Sequence, residues 1–237
     1  MNAIDNPLPP DVAALTADLQ RAAALLEVAL DDTVTHQLLA YLALIRQWNR
    51  VYNLTAVRDL SAMLTHHLVD SLAVIAPLRG QLHATKSEGQ TGRALRLLDV
   101  GSGAGLPGVV IAICCPGVQV SCVDTVAKKA AFIQQVAATL RLPNLKGVHA
   151  RVESLTGPFD VITSRAFASL VDFVSGSRGA LADGGVWMAM KGKHPQPELQ
   201  ALAALAPPVQ VFHVEQLKIP GLDAERCVVW MRPQTAV

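Results

Sequence analysis

The chain has 237 residues, of which 51% are hydrophobic and 16% charged, and its formal net charge is +1. That length supports one sizeable core with a small appended unit and needs no disulfide or metal staple. A balance this even excludes a strongly polybasic nucleic-acid binder, so an RNA partner has to be held by a local basic patch.

The opening stretch, MNAIDNPLPPDV, has neither a basic start nor an apolar signal core, so a cytoplasmic location is expected. The longest apolar run, Val109 to Cys115, is too short to cross a bilayer, and no membrane partner is expected. Apolar residues recur at three- and four-residue spacing from Asp11 to Leu30, from Thr35 to Trp48 and from about Asp59 to Leu78, which predicts three amphipathic helices in an N-terminal unit, residues 1–79. The stretch between Gly80 and Gly92, GQLHATKSEGQTG, is polar and aperiodic. It reads as a linker over 80–93, with a second domain over 94–237. There short β-rich runs alternate with helical patterns: LRLLDV, VQVSCVD, LKGVHA, FDVITS, GVWMAMK, VQVFHVEQL and RCVVWMR. The predicted fold is α/β, a seven-stranded doubly wound, Rossmann-like sheet behind an N-terminal helical unit. Too few residues separate the last two runs for a crossover helix, so that pair is expected to be antiparallel.

The strongest chemical signal is DVGSGAGLPG, Asp99 to Gly108, which follows an apolar strand and opens a helix. Gly103, Gly105 and Gly108 also spell the dinucleotide pattern GxGxxG, which keeps an NAD-dependent oxidoreductase as a rival reading. Asp99, just before the first glycine, would repel a pyrophosphate but favours the ammonium and sulfonium of S-adenosylmethionine. Asp124, at the end of the second strand, suits an adenosine ribose or else caps the following helix. Glu153 stands either beside the adenine or in solvent. Arg165 ends the fourth strand, where open sheets place ligands, and is read as a contact to a cofactor carboxylate or an RNA phosphate. Phe167 is open to two readings, base stacking or inward packing. Lys191, Lys193 and His194 form a possible phosphate patch or a solvated loop.

Four cysteines without a CxxC pair read as buried hydrophobes. His66, His67 and Asp70 lack a further ligand in view, so no metal is expected. SRAF after the fourth strand lacks the Asn/Asp-Pro-Pro-aromatic cluster of exocyclic-amine methylation, and no cysteine is placed for pyrimidine carbon methylation. A ring nitrogen is then the simpler acceptor, and no catalytic base is expected.

WNRVYNLTAVRD, HLVDSL, DVGSGAGLPG, RVES, FDVITSRAFASL and MKGKHP together resemble the bacterial RsmG (GidB) family of small-subunit rRNA guanine-N7 methyltransferases, across about Trp48 to Arg232. The resemblance implies the class I methyltransferase fold, S-adenosyl-L-methionine as cofactor, and methyl transfer to N7 of a guanine in 16S rRNA, free or in the small subunit. It also implies that Gly101, Leu106, Val152, Glu153 and Arg165 contact the cofactor and that Asp124 is the ribose ligand. A monomer with no obligatory protein partner is expected. A non-catalytic ribosome-assembly factor is the non-enzymatic rival.

Overall fold

The structure is a computed structural model that describes residues 7–87, 93–165, 167 and 169–234. The N-terminal helices are α1 (Pro10–Ala13), α2 (Thr16–Leu25) and α3 (Asp32–Tyr52). Helix α3 starts where the Asp31 carboxylate accepts from Val34 N at 2.7 Å and stops at Asn53, whose φ of 48° is left-handed. Its stripe of Leu38, Tyr41, Leu42 and Ile45 is fully buried, each apolar side chain contributing roughly 1.5–3 kcal/mol by leaving water.

The third predicted helix is broken. It consists of α4 (Leu60–Met63), a π-helical turn over Leu64–Val69, α5 (Asp70–Leu72) and α6 (Ile75–Ser87). The linker expected over 80–93 is corrected by α6, which carries residues 80–87 in helical form. Ile75, Leu78 and Leu82 continue the apolar spacing past Gly80 and are all buried, so burial outweighs the cost of about 1 kcal/mol for one helical glycine. The remainder of the expected linker, residues 88–92, lies outside the described residues. The run Leu60–Leu82 is long and apolar enough for a bilayer, yet 61% of its most apolar window is buried inside the protein.

The strands are β1 (Leu95–Val100), β2 (Val118–Asp124), β3 (Leu145–His149), β4 (Phe159–Arg165), β5 (Leu181–Lys191), β6 (Val209–Leu217) and β7 (Arg226–Pro233). They form one sheet in the order β3-β2-β1-β4-β5-β7-β6. Strands β1 to β5 pair in parallel, and β7 runs antiparallel to both β5 and β6. The seven strands and the closing hairpin match the sequence reading. Between the strands lie α7 (Gly108–Cys114), α8 (Ala127–Thr139), α9 (Leu170–Ser177) and α10 (Gln196–Ala203).

Period-two alternation sends one set of strand residues to each face. Leu97, Val120, Val161 and Met188 share an apolar cluster with Leu38, Leu42 and Ile45 of α3, Ile111 of α7 and Phe132 of α8. Leu98, Val123, Ile162 and Trp187 pack with Phe173 and Val174 of α9 on the opposite face. The N-terminal helices therefore share a core with the sheet. Strand order reverses between β1 and its neighbours β2 and β4, which opens a crevice at the carboxyl ends of β1 and β4.

Candidate active site

The loop after β1 turns through three glycines with positive φ, Gly101 (66°), Gly103 (58°) and Gly105 (90°). At Gly105 a Cβ would also meet Val109 Cγ2 at 2.5 Å, and at Gly108 it would collide with Cys122 Sγ and the Asp99 carboxylate. Only glycine lets the chain turn there and start α7 flush on the sheet.

Three side chains hold this loop. Asp124, 6% exposed, accepts from Gly103 N at 3.0 Å and Val126 N at 2.9 Å, with Lys129 Nζ 3.5 Å away. Its position at the end of β2 thus ties that strand to the glycine loop, whereas the expected cap of the following helix is not formed: the residue before α8 is Val126, and no side chain caps it. Tyr41 of α3 donates its hydroxyl to Ala104 O at 2.6 Å. Asp99, fully buried, accepts from Gly108 N at 2.8 Å through Oδ2, while Oδ1 has no partner. Burial pushes the Asp99 carboxyl up to about 7, against the opposing pull of the Gly108 amide and the Arg165 charge.

Leu106 is buried among the α3 and α7 side chains. Val152 and Glu153 lie on a 3₁₀ turn, Val152–Ser154, with Val152 packed inward and Glu153 exposed. Glu153 Oε1 leans over Gly176 of α9, 3.4 Å from where a Cβ would stand.

Arg165, at the end of β4, donates Nη1 to His66 O at 2.9 Å and to Asp70 Oδ2 at 3.0 Å. Asp70 is 2% exposed, and its Oδ1 accepts from Arg226 Nε at 2.8 Å. Two arginines from β4 and β7 thus share one buried carboxylate from α5. They border a cavity of about 400 Å³ that Phe167 and Lys191 also line. The Phe167 ring packs 5.7 Å from Phe173 and stands over Gly101, placing it between the glycine loop and that cavity. Lys191 Nζ pairs with Glu198 at 2.7 Å, and Glu198 also accepts from Leu170 N at the start of α9. Lys193 is exposed on the loop after β5. His67 is buried with neither ring nitrogen bonded, and desolvation, then the Arg165 charge, lowers its pKa to about 4.

Asp99, Gly101, Gly103, Gly105 and Asp124 thus cluster at one turn, with Arg165 and Phe167 across the crevice. Glu153 is exposed on the 3₁₀ turn after β3, and Lys193 on the loop after β5. Sequence reasoning missed Tyr41 and Arg226 as parts of the site, and read Asp70 only as pairing or touching the second domain. Tyr41 carries only the signal of a core stripe, and the Asp70–Arg226 pair spans 156 residues. Burial pushes the Cys114 thiol up to about 12 and raises that of Cys122, so neither supplies a thiolate at neutral pH. Among the described residues no group of three or more His, Cys, Asp and Glu side chains is placed to hold a metal.

The chain matches the GidB family model, described as rRNA small subunit methyltransferase G, over residues 34–229. It is 62% identical over 225 residues to ribosomal RNA small subunit methyltransferase G of Paracidovorax citrulli, covering 93% of this chain and 91% of that one. To the protein of the same name from Polaromonas naphthalenivorans it is 64% identical over 208 residues, with 88% and 91% covered. Among solved structures, TrmN from Thermus thermophilus aligns with a TM-score of 0.51 at 19% identity, over 69% of this chain and 49% of that chain, which supports the fold alone. The match over most of its length and the high identity to these relatives place the chain in the GidB family of small-subunit rRNA methyltransferases G.

Proposed function

We propose that this protein transfers a methyl group from S-adenosyl-L-methionine to N7 of a guanine in 16S rRNA, with the glycine loop as cofactor seat and the Arg165 side of the crevice as acceptor side. The observation that carries the reading is the preformed glycine turn between Asp99 and Asp124, which joins an acidic lining to close backbone approach and suits a cationic adenosyl ligand rather than a pyrophosphate. The unpartnered Asp99 Oδ1 fits a cationic group, and the Asp124 carboxylate retains lone pairs for ribose hydroxyls. S-adenosylmethionine supplies an electrophilic methyl group on a sulfonium. The residues of this chain bind, orient and exclude water. Guanine N7 offers an in-plane lone pair with no proton, so no side chain has to act as a base. His67 is held neutral with its ring nitrogens buried, and no step is assigned to it. Alignment and desolvation supply the acceleration.

Arg165 holds the acceptor side in shape through Asp70 and keeps donors for a phosphate or carboxylate. Leu106, Val152 and Glu153 are assigned to the cofactor pocket, and Phe167, Lys191 and Lys193 to the RNA side. A monomeric, cytoplasmic enzyme without a membrane partner completes the reading.

The test is methyl transfer from labelled S-adenosylmethionine to 16S rRNA with mass spectrometry of the digested product. N7-methylguanosine is expected from wild type, and Arg165→Ala is expected to lose at least tenfold in kcat/KM. That variant should also lose roughly 1–3 kcal/mol of stability, because Asp70 keeps only one of two charged partners. Product formed with another base, or tight NAD binding without methyl transfer, would refute the assignment.

A further inference from the structure

The end of α3 carries an exposed feature that the cofactor turn leaves unused. Val51 is 70% exposed and Tyr52 39%, yet the segment is fixed. Trp48 lies 5.1 Å from the Tyr52 ring and 5.2 Å from Phe132 of α8, so the tyrosine is braced from behind. Buried Asn49 accepts from Thr55 N at 2.9 Å and donates to Val57 O at 3.3 Å. Asn53 Oδ1 accepts from Arg58 Nη2 at 2.9 Å. The loop after Tyr52 is therefore closed by side chains of its own helix, and the aromatic is presented at little ordering cost.

Beside the ring stand Lys128 and, through Asn53, Arg58. Arg50, Arg58 and Lys128 are exposed, and Lys128 Nζ stands 6.0 Å from the Tyr52 ring centroid. The acid in the same loop, Asp59, keeps its charge but is turned to Ala62 N at the start of α4, which leaves the cations in excess. In a chain of net charge +1 this is a local excess of cations beside an exposed aromatic. The patch adjoins the cofactor turn, since Lys129, next to Lys128, pairs with Asp124. A protein partner would call for a wider apolar surface than Val51 and one ring. A flat aromatic flanked by cations suits a base on the ring and phosphates on the ammonium and guanidinium groups.

We propose that Tyr52, Arg58 and Lys128 form a docking platform for an unpaired stretch of the RNA substrate, with one base stacked on Tyr52 and the flanking phosphates held by the two cations. The platform rests on the RNA-methyltransferase reading given above.

The experiment compares wild type, Tyr52→Ala, Tyr52→Phe and the double variant Arg58→Ala/Lys128→Ala, using 16S rRNA and labelled S-adenosylmethionine. Tyr52→Ala is expected to raise the KM for RNA roughly tenfold, in the range of losing one base–aromatic stack. Tyr52→Phe is expected to stay near wild type. The double variant should flatten the dependence of log RNA affinity on log salt by about 1 to 2. Cofactor affinity and kcat at saturating RNA are expected to stay unchanged in all three, with melting temperatures near wild type for these exposed positions. A methylating wild type with unaltered RNA KM in Tyr52→Ala and an unaltered salt slope in the double variant would overturn the platform alone, as would losses confined to cofactor affinity or stability. Absence of methyl transfer to RNA by wild type would overturn the function and the platform together.

Discussion

Asp99 is a fully buried carboxyl at the glycine turn, bonded through one oxygen only. Its folded-state pKa is about 7 against an ordinary 3.8. Between about pH 4 and 7 the folded chain therefore keeps a proton that the unfolded chain has released, and raising the pH through that window removes stability. His67 acts in the opposite sense. Its pKa is lowered from 6.5 to about 4, so its contribution is present above 6.5 and is lost as the pH falls towards 4. The two offset each other below 6.5, and from there to just above 7 His67 no longer opposes Asp99. The denaturant midpoint of wild type is expected to fall over that upper interval, and in Asp99→Asn it should fall less. A cation seated at Asp99 favours the carboxylate, so cofactor binding near pH 7 should expel protons. Calorimetry in two buffers of different ionisation enthalpy measures that release; equal heats would show that Asp99 does not meet the charged end of the ligand. Asp99, Asp124 and Arg165 were legible in the sequence because each ends a strand or precedes a turn. The partners of Tyr41 and Asp70 were not, because they stand 63 and 95 residues away and spacing carries no signal at that range.

At the scale of elements, hydrophobic period located the helices and strands, and capping chemistry explains the ends it left blurred. Asp31 and Asp59 cap α3 and α4 through their side chains, so α3 starts three residues before the apolar spacing that begins at Thr35. The break between α4 and α6 carried no comparable mark: the π-helical turn over Leu64–Val69 keeps the same apolar residues buried while shifting their phase. Gly80 was overread as a breaker. A Cβ built there meets nothing within 4 Å, so Gly80→Ala is expected to raise stability by about 0.5–1 kcal/mol. Chemical denaturation checks this, and a loss of stability would mean that α6 does not continue through residue 80 in solution.

For the whole molecule, the division into a helical unit and a catalytic domain describes the sequence better than the packing. One apolar cluster holds Leu38 and Leu42 together with Leu97, Val109 and Val161. A chain beginning at Arg93 would expose that face of the sheet, and we expect it to be poorly soluble or to bind hydrophobic dyes strongly; a monodisperse, cooperatively melting fragment would contradict this. The Asp70–Arg226 pair extends the same dependence to synthesis. Asp70 leaves the ribosome early, yet its second arginine belongs to β7, which inserts between β5 and β6. Until Arg226 is translated and β7 has inserted, Asp70 lacks one cation and the cavity beside Arg165 lacks a wall, so a nascent chain, or one terminated before Arg226, cannot complete that cavity.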